Sequence, residues 1–285
     1  MIDLKTAWTQ SRDRLKAAGI DSPVIDARLL LEAATGASRT DIVTDPYRAL
    51  TAEQTATLNA YVERRCRREP VSKIIGRAGF WKILLRVTPD VLSPRPDTEA
   101  ILDVVLPQFT EHQAFDLLDL GTGSGAILLA ILAERPAARG VGTDVSFEAL
   151  AVAKENAANL GLAGRASFLR TEWGDGLAPG TFDLVISNPP YIPTAVIPTL
   201  DPEVRDHDPV LALDGGADGL DAYRALAPQI LALLKPGRPF AVEIGYDQAE
   251  SVMALFIAEG ATDVRTTQDL GLRDRVVSGF RPVPG

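Results

Sequence analysis

A mostly apolar run, FDLLDL at residues 115–120, stops on Gly121, Thr122, Gly123, Ser124 and Gly125 and resumes as a second apolar stretch at 126–133. A short apolar run bounded by glycine predicts a strand buried on both faces, and the stretch after the glycines predicts a helix. Glycine permits the sharp reversal between them and keeps side chains away from whatever binds there. The unpaired N–H groups of the helix's first turn then face that space. Residues 139–144, RGVGTD, predict the next strand, and it ends on Asp144. An acid at that tip, about 20 residues beyond the glycines, is placed to accept hydrogen bonds from a ribose diol.

Further strands are expected near 165, 182, 239, 262 and 275, separated mostly by helical patterns. With those near 115 and 139 they make an α/β fold: a doubly wound, seven-stranded, Rossmann-like sheet. Gly121, Gly123 and Ala126 satisfy G-x-G-x-x-G/A, so the loop alone admits NAD as readily as S-adenosylmethionine. The strand FDLVIS at 182–187 separates the two, because it runs straight into Asn188, Pro189, Pro190 and Tyr191. Pro189 forces an extended backbone on Asn188. The side-chain oxygen of Asn188 and the carbonyl oxygen of Pro189 can then each accept one N–H of a planar NH2 group, turning its lone pair elsewhere. A dehydrogenase has no need of such a site, whereas an amino-group methyltransferase does. Taken alone, Asn-Pro-Pro is also an ordinary strand-ending turn. Its place at a strand's carboxyl end, like that of the glycine loop, is where open α/β sheets bind ligands.

The chain has 285 residues, enough for one α/β domain and a smaller unit. Cys66 is the only cysteine, and His112 and His207 are the only histidines, so neither an intrachain disulfide nor a zinc site is expected. With no apolar signal region and no uncharged apolar run of about 18 to 20 residues, the protein is expected to be cytoplasmic, with no membrane contact. Its net charge of -9 leans against nucleic acid as the main substrate. The one basic run, RRCRR at 64–68, reads as a solvated helix C-terminus.

Three parts are expected along the chain. Residues 1–70 alternate helical patterns with turn signals, including Pro23 behind Ser22 as N-cap and a capping box from Thr51 and Gln54. They read as a helical docking domain. Residues 71–90 read as a β-hairpin linker, with strands at 71–75 and 80–87 about the turn 76–79. Residues 91–285 form the catalytic domain, in which Asp97 and Thr98 start a helix over 99–106. The irregular connection 192–218 lies beside the suspected site and could close over a substrate. His207, within it, reads as a solvated or hydrogen-bonded residue, not a base.

The helical front part, the hairpin, PRPDTE at 94–99, DLGTGSGA at 119–126 and NPPY at 188–191 together resemble the protein N5-glutamine methyltransferases of peptide chain release factors, the PrmC or HemK family. The resemblance spans essentially the whole chain. NPPY alone is shared with DNA adenine and rRNA guanine methyltransferases; PRPDTE with the helical front domain is more specific. The resemblance implies a class I methyltransferase sheet with S-adenosyl-L-methionine as cofactor and class 1 release factors as protein partner. It implies that Gly121 to Gly125 line the cofactor, Asp144 holds its ribose hydroxyls, Trp173 lies against the adenine, and Asn188 bridges cofactor and substrate. The substrate glutamine would be held by Asn188, Pro189, Pro190 and Tyr191, with Tyr191 packed on the planar amide. The sequence departs from the family pattern at Ser93, where an apolar residue is common, and at Glu172, where an aspartate is frequent. A ribosomal-protein glutamine methyltransferase, a nucleic-acid amino methyltransferase and an NAD-dependent oxidoreductase stand as alternatives.

Overall fold

The computed structural model describes residues 2–284. Its contacts divide the chain into two units, Met1–Arg77 with Asp201–His207, and Ala78–Leu200 with Asp208–Gly285.

The first unit is helical. Its elements are α1 (Leu4–Ala17), α2 (Pro23–Thr35), α3 (Arg39–Thr44), α4 (Ala52–Cys66) and α5 (Val71–Ile75), and their apolar faces share a core that includes Leu15, Leu30, Leu31, Leu58, Val62 and Ile74. The Thr51–Gln54 capping box forms at α4, and a second one, Ser38 with Asp41, starts α3. Ser22 makes no cap hydrogen bond; its hydroxyl donates instead to Asp26. The basic run does end α4, with Arg67 exposed, but it is not solvated throughout. Arg65 is buried, pairing with Asp26 at 2.7 Å and Glu203 at 2.9 Å, while Arg64 pairs with Glu69 and Arg68 with Glu203. Such burial is tolerated because each charge meets an opposite one.

The expected strand at 71–75 is also corrected. These residues form α5, begun after Pro70 and ended by Gly76, because Val71, Ile74 and Ile75 fall on one helical face that packs on the first unit's core. The hairpin lies further on, in β1 (Arg77–Phe80) and β2 (Ile83–Arg86), with Trp81 at φ 52 in its two-residue turn.

In the second unit a 3-10 turn, Pro96–Glu99, leads into α6 (Ala100–Val105). There follow β3 (Asp116–Leu120), α7 (Ala126–Glu134), β4 (Arg139–Asp144), α8 (Phe147–Asn159), β5 (Ala166–Arg170) and β6 (Leu184–Ser187). After α9 (Pro202–Arg205), which belongs to the first unit, come α10 (Asp221–Leu233), β7 (Pro239–Glu243), α11 (Ala249–Ala258), β8 (Thr262–Gln268) and β9 (Asp274–Phe280). The seven-stranded sheet runs β5-β4-β3-β6-β7-β9-β8, parallel except for β9, which pairs antiparallel with both neighbours. Alternate residues of the central strands feed opposite cores. Leu117, Leu184 and Ile186 pack with α6 and α7, whereas Leu118, Leu120 and Val185 pack with α10 and α11. No helix of the described residues is long and apolar enough to cross a membrane.

Candidate active site

The strand order reverses between β3 and β6, the position at which a doubly wound sheet opens a crevice at its carboxyl ends. Leu120 and Ser187 are in register there, and the Ser187 hydroxyl donates to the Leu120 carbonyl at 2.7 Å. The glycine loop leaves β3 and the NPPY segment leaves β6 from this pair. Between them lies a cleft of about 470 Å³, lined by Gly121 to Ser124, Asp144, Trp173, Asn188 and Pro190 among others. Gly125, Pro189 and Tyr191 lie outside its lining. Thr98 and Arg95 line it as well, as do Pro209, Leu211 and Asp214 from the returning half of the 192–218 connection.

The glycine loop is tied down from several sides. Gly121, Gly123 and Gly125 take φ of 73, 55 and 81, values that side chains strongly disfavour. Thr122 N donates to the Thr143 carbonyl at 2.8 Å, and the buried Asn156 amide donates to the Ser124 carbonyl at 2.9 Å while also bonding the Arg86 backbone. A Cβ on Gly121 would come within 3.3 Å of the Trp173 ring, so the absent side chain is what lets the indole cover the loop. Trp173 itself holds φ 47, an unusual backbone for so large a residue. Asp144 accepts from Gly123 N through Oδ2 and from Ser146 N through Oδ1, both at 2.9 Å. Burial raises its pKa, and these backbone donors oppose that rise. Beneath the loop, Asp119 accepts the Thr122 hydroxyl at 2.7 Å, and burial pushes its pKa up to about 7.

At the other end of the cleft the Asn188 side chain donates through Nδ2 to Thr98 Oγ1 at 3.3 Å. The amide oxygen is thereby the end offered to a ligand. Tyr191 turns inward. It packs against the core, and its hydroxyl donates to Glu243 Oε1 at 3.3 Å. Glu243 is buried at the end of β7, and burial raises its pKa to about 7. Gln248 fixes the backbone of the same segment: Nε2 donates to the Tyr191 carbonyl at 2.9 Å and the Gly219 carbonyl at 3.2 Å, while Oε1 accepts from Gly245 N.

The resemblance to known proteins matches this geometry. Residues 6–76 match the PrmC N-terminal domain and residues 97–197 the methyltransferase small domain. The release factor glutamine methyltransferase of Caulobacter vibrioides is 67% identical over 280 residues, covering 98% of this chain and 97% of the relative. That of Agrobacterium fabrum is 44% identical, with 94% of each chain covered. The chain belongs to the release factor glutamine methyltransferase family. In fold alone, a methyltransferase from Pyrococcus furiosus superposes with a TM-score of 0.51 at 19% identity, over 70% of this chain and 89% of that one.

For a family member, the sequence-predicted residues fall into two groups. Gly121, Thr122, Gly123, Ser124, Asp144, Trp173, Asn188 and Pro190 share the cleft. Gly125 instead caps α7, where a Cβ would crowd Leu129 and Ala153. Thr98 and Glu243 were not anticipated as parts of the site. The only signal for Thr98 was its place in PRPDTE, where it reads as a helix start; Glu243 carried no local signal, being one acid at the end of an apolar strand.

Proposed function

We propose that this methyltransferase moves a methyl group from S-adenosyl-L-methionine to the side-chain amide nitrogen of the glutamine in the Gly-Gly-Gln motif of class 1 peptide chain release factors. The observation that carries the reading is the Asn188 amide, whose nitrogen is committed to Thr98 and whose oxygen is left for an N–H donor. The identity of the relatives supports the choice of protein substrate.

The cleft suits the cofactor in size and chemistry. Its volume of about 470 Å³ falls in the usual range of ligand pockets. The glycine cradle leaves room for backbone approach, Asp144 keeps acceptor capacity on both oxygens for a diol, and the Trp173 ring offers an apolar wall for a base. When bound, S-adenosylmethionine supplies a methyl group on a sulfonium sulfur, already activated for displacement. The chain's own residues orient the acceptor. Asn188 Oδ1 accepts one N–H of the glutamine amide and the Pro189 carbonyl the other, so that the nitrogen lone pair is free to point along the cleft. Pro189 and Pro190 stiffen the segment, and the Tyr191 backbone is held by Gln248. No general base is required, because the nitrogen becomes acidic only as the new bond forms and its proton can then leave to water.

Selection among glutamines falls to a wider surface. The helical unit is the docking module in this account, and the two glycines before the glutamine let a thin backbone enter the slot beside Asn188. Nucleic acid is not the expected substrate, since the cations at 64, 65, 67 and 68 are already paired with carboxylates. The protein works in the cytoplasm on this reading. Labelled S-adenosylmethionine offered with intact release factor, ribosomal protein or duplex DNA tests it. Label entering release factor is expected. Label entering only one of the others would replace this reading with that alternative.

A further inference from the structure

An asparagine amide can face either way, so something must decide that Asn188 offers its oxygen to the cleft. Its contact is the Thr98 hydroxyl, which has one proton to give and can accept through its lone pairs. Thr98 is 4% exposed and lies beside the Glu243 carboxylate, whose buried Oε2 has no hydrogen-bond partner among the described residues. Glu243 is 2% exposed, and its Oε1 already accepts the Tyr191 hydroxyl. An ionised carboxylate only accepts. With its oxygen already accepting from Asn188 Nδ2, the Thr98 hydroxyl has its proton to offer to that unsatisfied carboxylate oxygen, and a proton so turned leaves the Thr98 oxygen only to accept from the Asn188 NH2.

We propose that Thr98 and Glu243 form a polarity relay that fixes the Asn188 amide with its oxygen toward the cleft, which makes both of them positioning residues. The inference rests on the amide-holding role proposed above for Asn188. It assigns a task to two residues far from NPPY in sequence, and it gives a role to a carboxylate at an otherwise apolar strand end, where burial is costly. The same carboxylate receives Tyr191, so one buried acid sets both ends of NPPY. The backbone beneath it is pinned by Tyr223, whose hydroxyl donates to the Glu243 carbonyl at 2.8 Å.

The relay works only while Glu243 is charged. Protonated, Glu243 can donate to Thr98, and the Thr98 hydroxyl is released to turn its own proton toward Asn188. The charged and titratable groups around Glu243 are Asp97 beside Thr98, Arg95, Tyr191, Tyr223 on α10 and Arg275 on β9. Arg275, paired with Asp97 and Asp269, is the nearby cation that favours the charged form. Burial works against it, placing the transition near neutrality.

The test is the pH profile of kcat on intact release factor, measured for the wild type, Thr98→Val, Thr98→Ser and Glu243→Gln, with S-adenosylmethionine affinity by calorimetry as the check on folding. For Thr98→Val, kcat is expected to fall about 10- to 100-fold, the scale of one lost hydrogen bond beside a charge, with KM for release factor unchanged. Thr98→Ser should recover most of the loss. Wild-type kcat should fall as pH drops through about 7, and Glu243→Gln should lose that limb because its amide does not titrate in this range. Wild-type kcat in Thr98→Val, or an unaltered pH limb in Glu243→Gln, overturns the relay. If Glu243→Gln fails to bind cofactor, the threonine pair decides alone. A wild type that methylates no glutamine removes the proposed function itself, an outcome separate from an active wild type indifferent to Thr98.

Discussion

Asp144 Oδ2 accepts the Gly123 N–H at 2.9 Å, joining the tip of β4 to the glycine loop that leaves β3. The acid therefore has two tasks: it shapes the loop and it presents acceptor oxygens to the cleft. Asp144→Ala should weaken S-adenosylmethionine binding by roughly 1–3 kcal/mol, the range for hydrogen bonds to a charged group. Asp144→Asn, which keeps one acceptor for Gly123, should lose less. Calorimetry on the two variants separates the tasks; equal losses would mean that only the charge matters.

Gly219 touches the substrate segment from behind. A Cβ there would lie 2.4 Å from the Tyr191 carbonyl oxygen and 2.6 Å from Gln248 Nε2, at φ +77. Gly176 has a similar φ of +78 but open space around it. Gly176→Ala should cost about 1–2 kcal/mol from the left-handed backbone alone. Gly219→Ala should cost roughly 1–3 kcal/mol more through overpacking and should also slow methyl transfer. Urea midpoints for both variants measure the difference, and equal midpoints would show that the Tyr191–Gln248 contact yields without cost.

Two buried acids set the pH dependence of stability. Asp119 and Glu243 hold their protons up to about 7 in the folded protein, against ordinary values of 3.8 and 4.5. Between those limits the folded state binds more protons than the unfolded one, so stability falls as pH rises. The exposed carboxylates whose pKa is lowered, such as Asp41 and Asp218, titrate below that window. Tm should therefore be lower at about pH 8 than at about pH 5.5, and Asp119→Asn should flatten the slope. A Tm that rises across this interval and is untouched by Asp119→Asn would contradict the assignment. Activity through Glu243 is expected to run the opposite way, rising with pH.

Much of the catalytic sheet was legible because its cause is local. The apolar run 115–120, its glycines and Asp144 carry their own geometry, and all seven strands lie near their expected positions. The hairpin was harder. Val71, Ile74 and Ile75 are β-branched, which suggests a strand, but tertiary packing on the helical core overrides propensity. The true turn at Trp81 and Lys82 contains neither glycine nor asparagine, so it gives no turn signal. Pairings between distant segments left no trace at all. The docking of Glu203 on Arg65 and Arg68 brings Asp201–His207 into the helical unit, and the Thr98–Glu243 approach links a 3-10 turn to a strand end. For Tyr191 the resemblance implies packing on the substrate amide, and no local signal points to the Glu243 carboxylate that its hydroxyl meets.

The central claim, that Asn188 holds a glutamine amide for methyl transfer, is tested most directly by single-turnover transfer of labelled methyl to intact release factor, with tandem mass spectrometry to locate the product. The wild type should place one methyl group on the side-chain nitrogen of the Gly-Gly-Gln glutamine. Asn188→Ala, lacking one of the two acceptors, should do so about 10² to 10³ times more slowly, by analogy with deleting one group from an oxyanion hole. Transfer by Asn188→Ala at the wild-type rate, or a methyl group found on any other side chain, would contradict it.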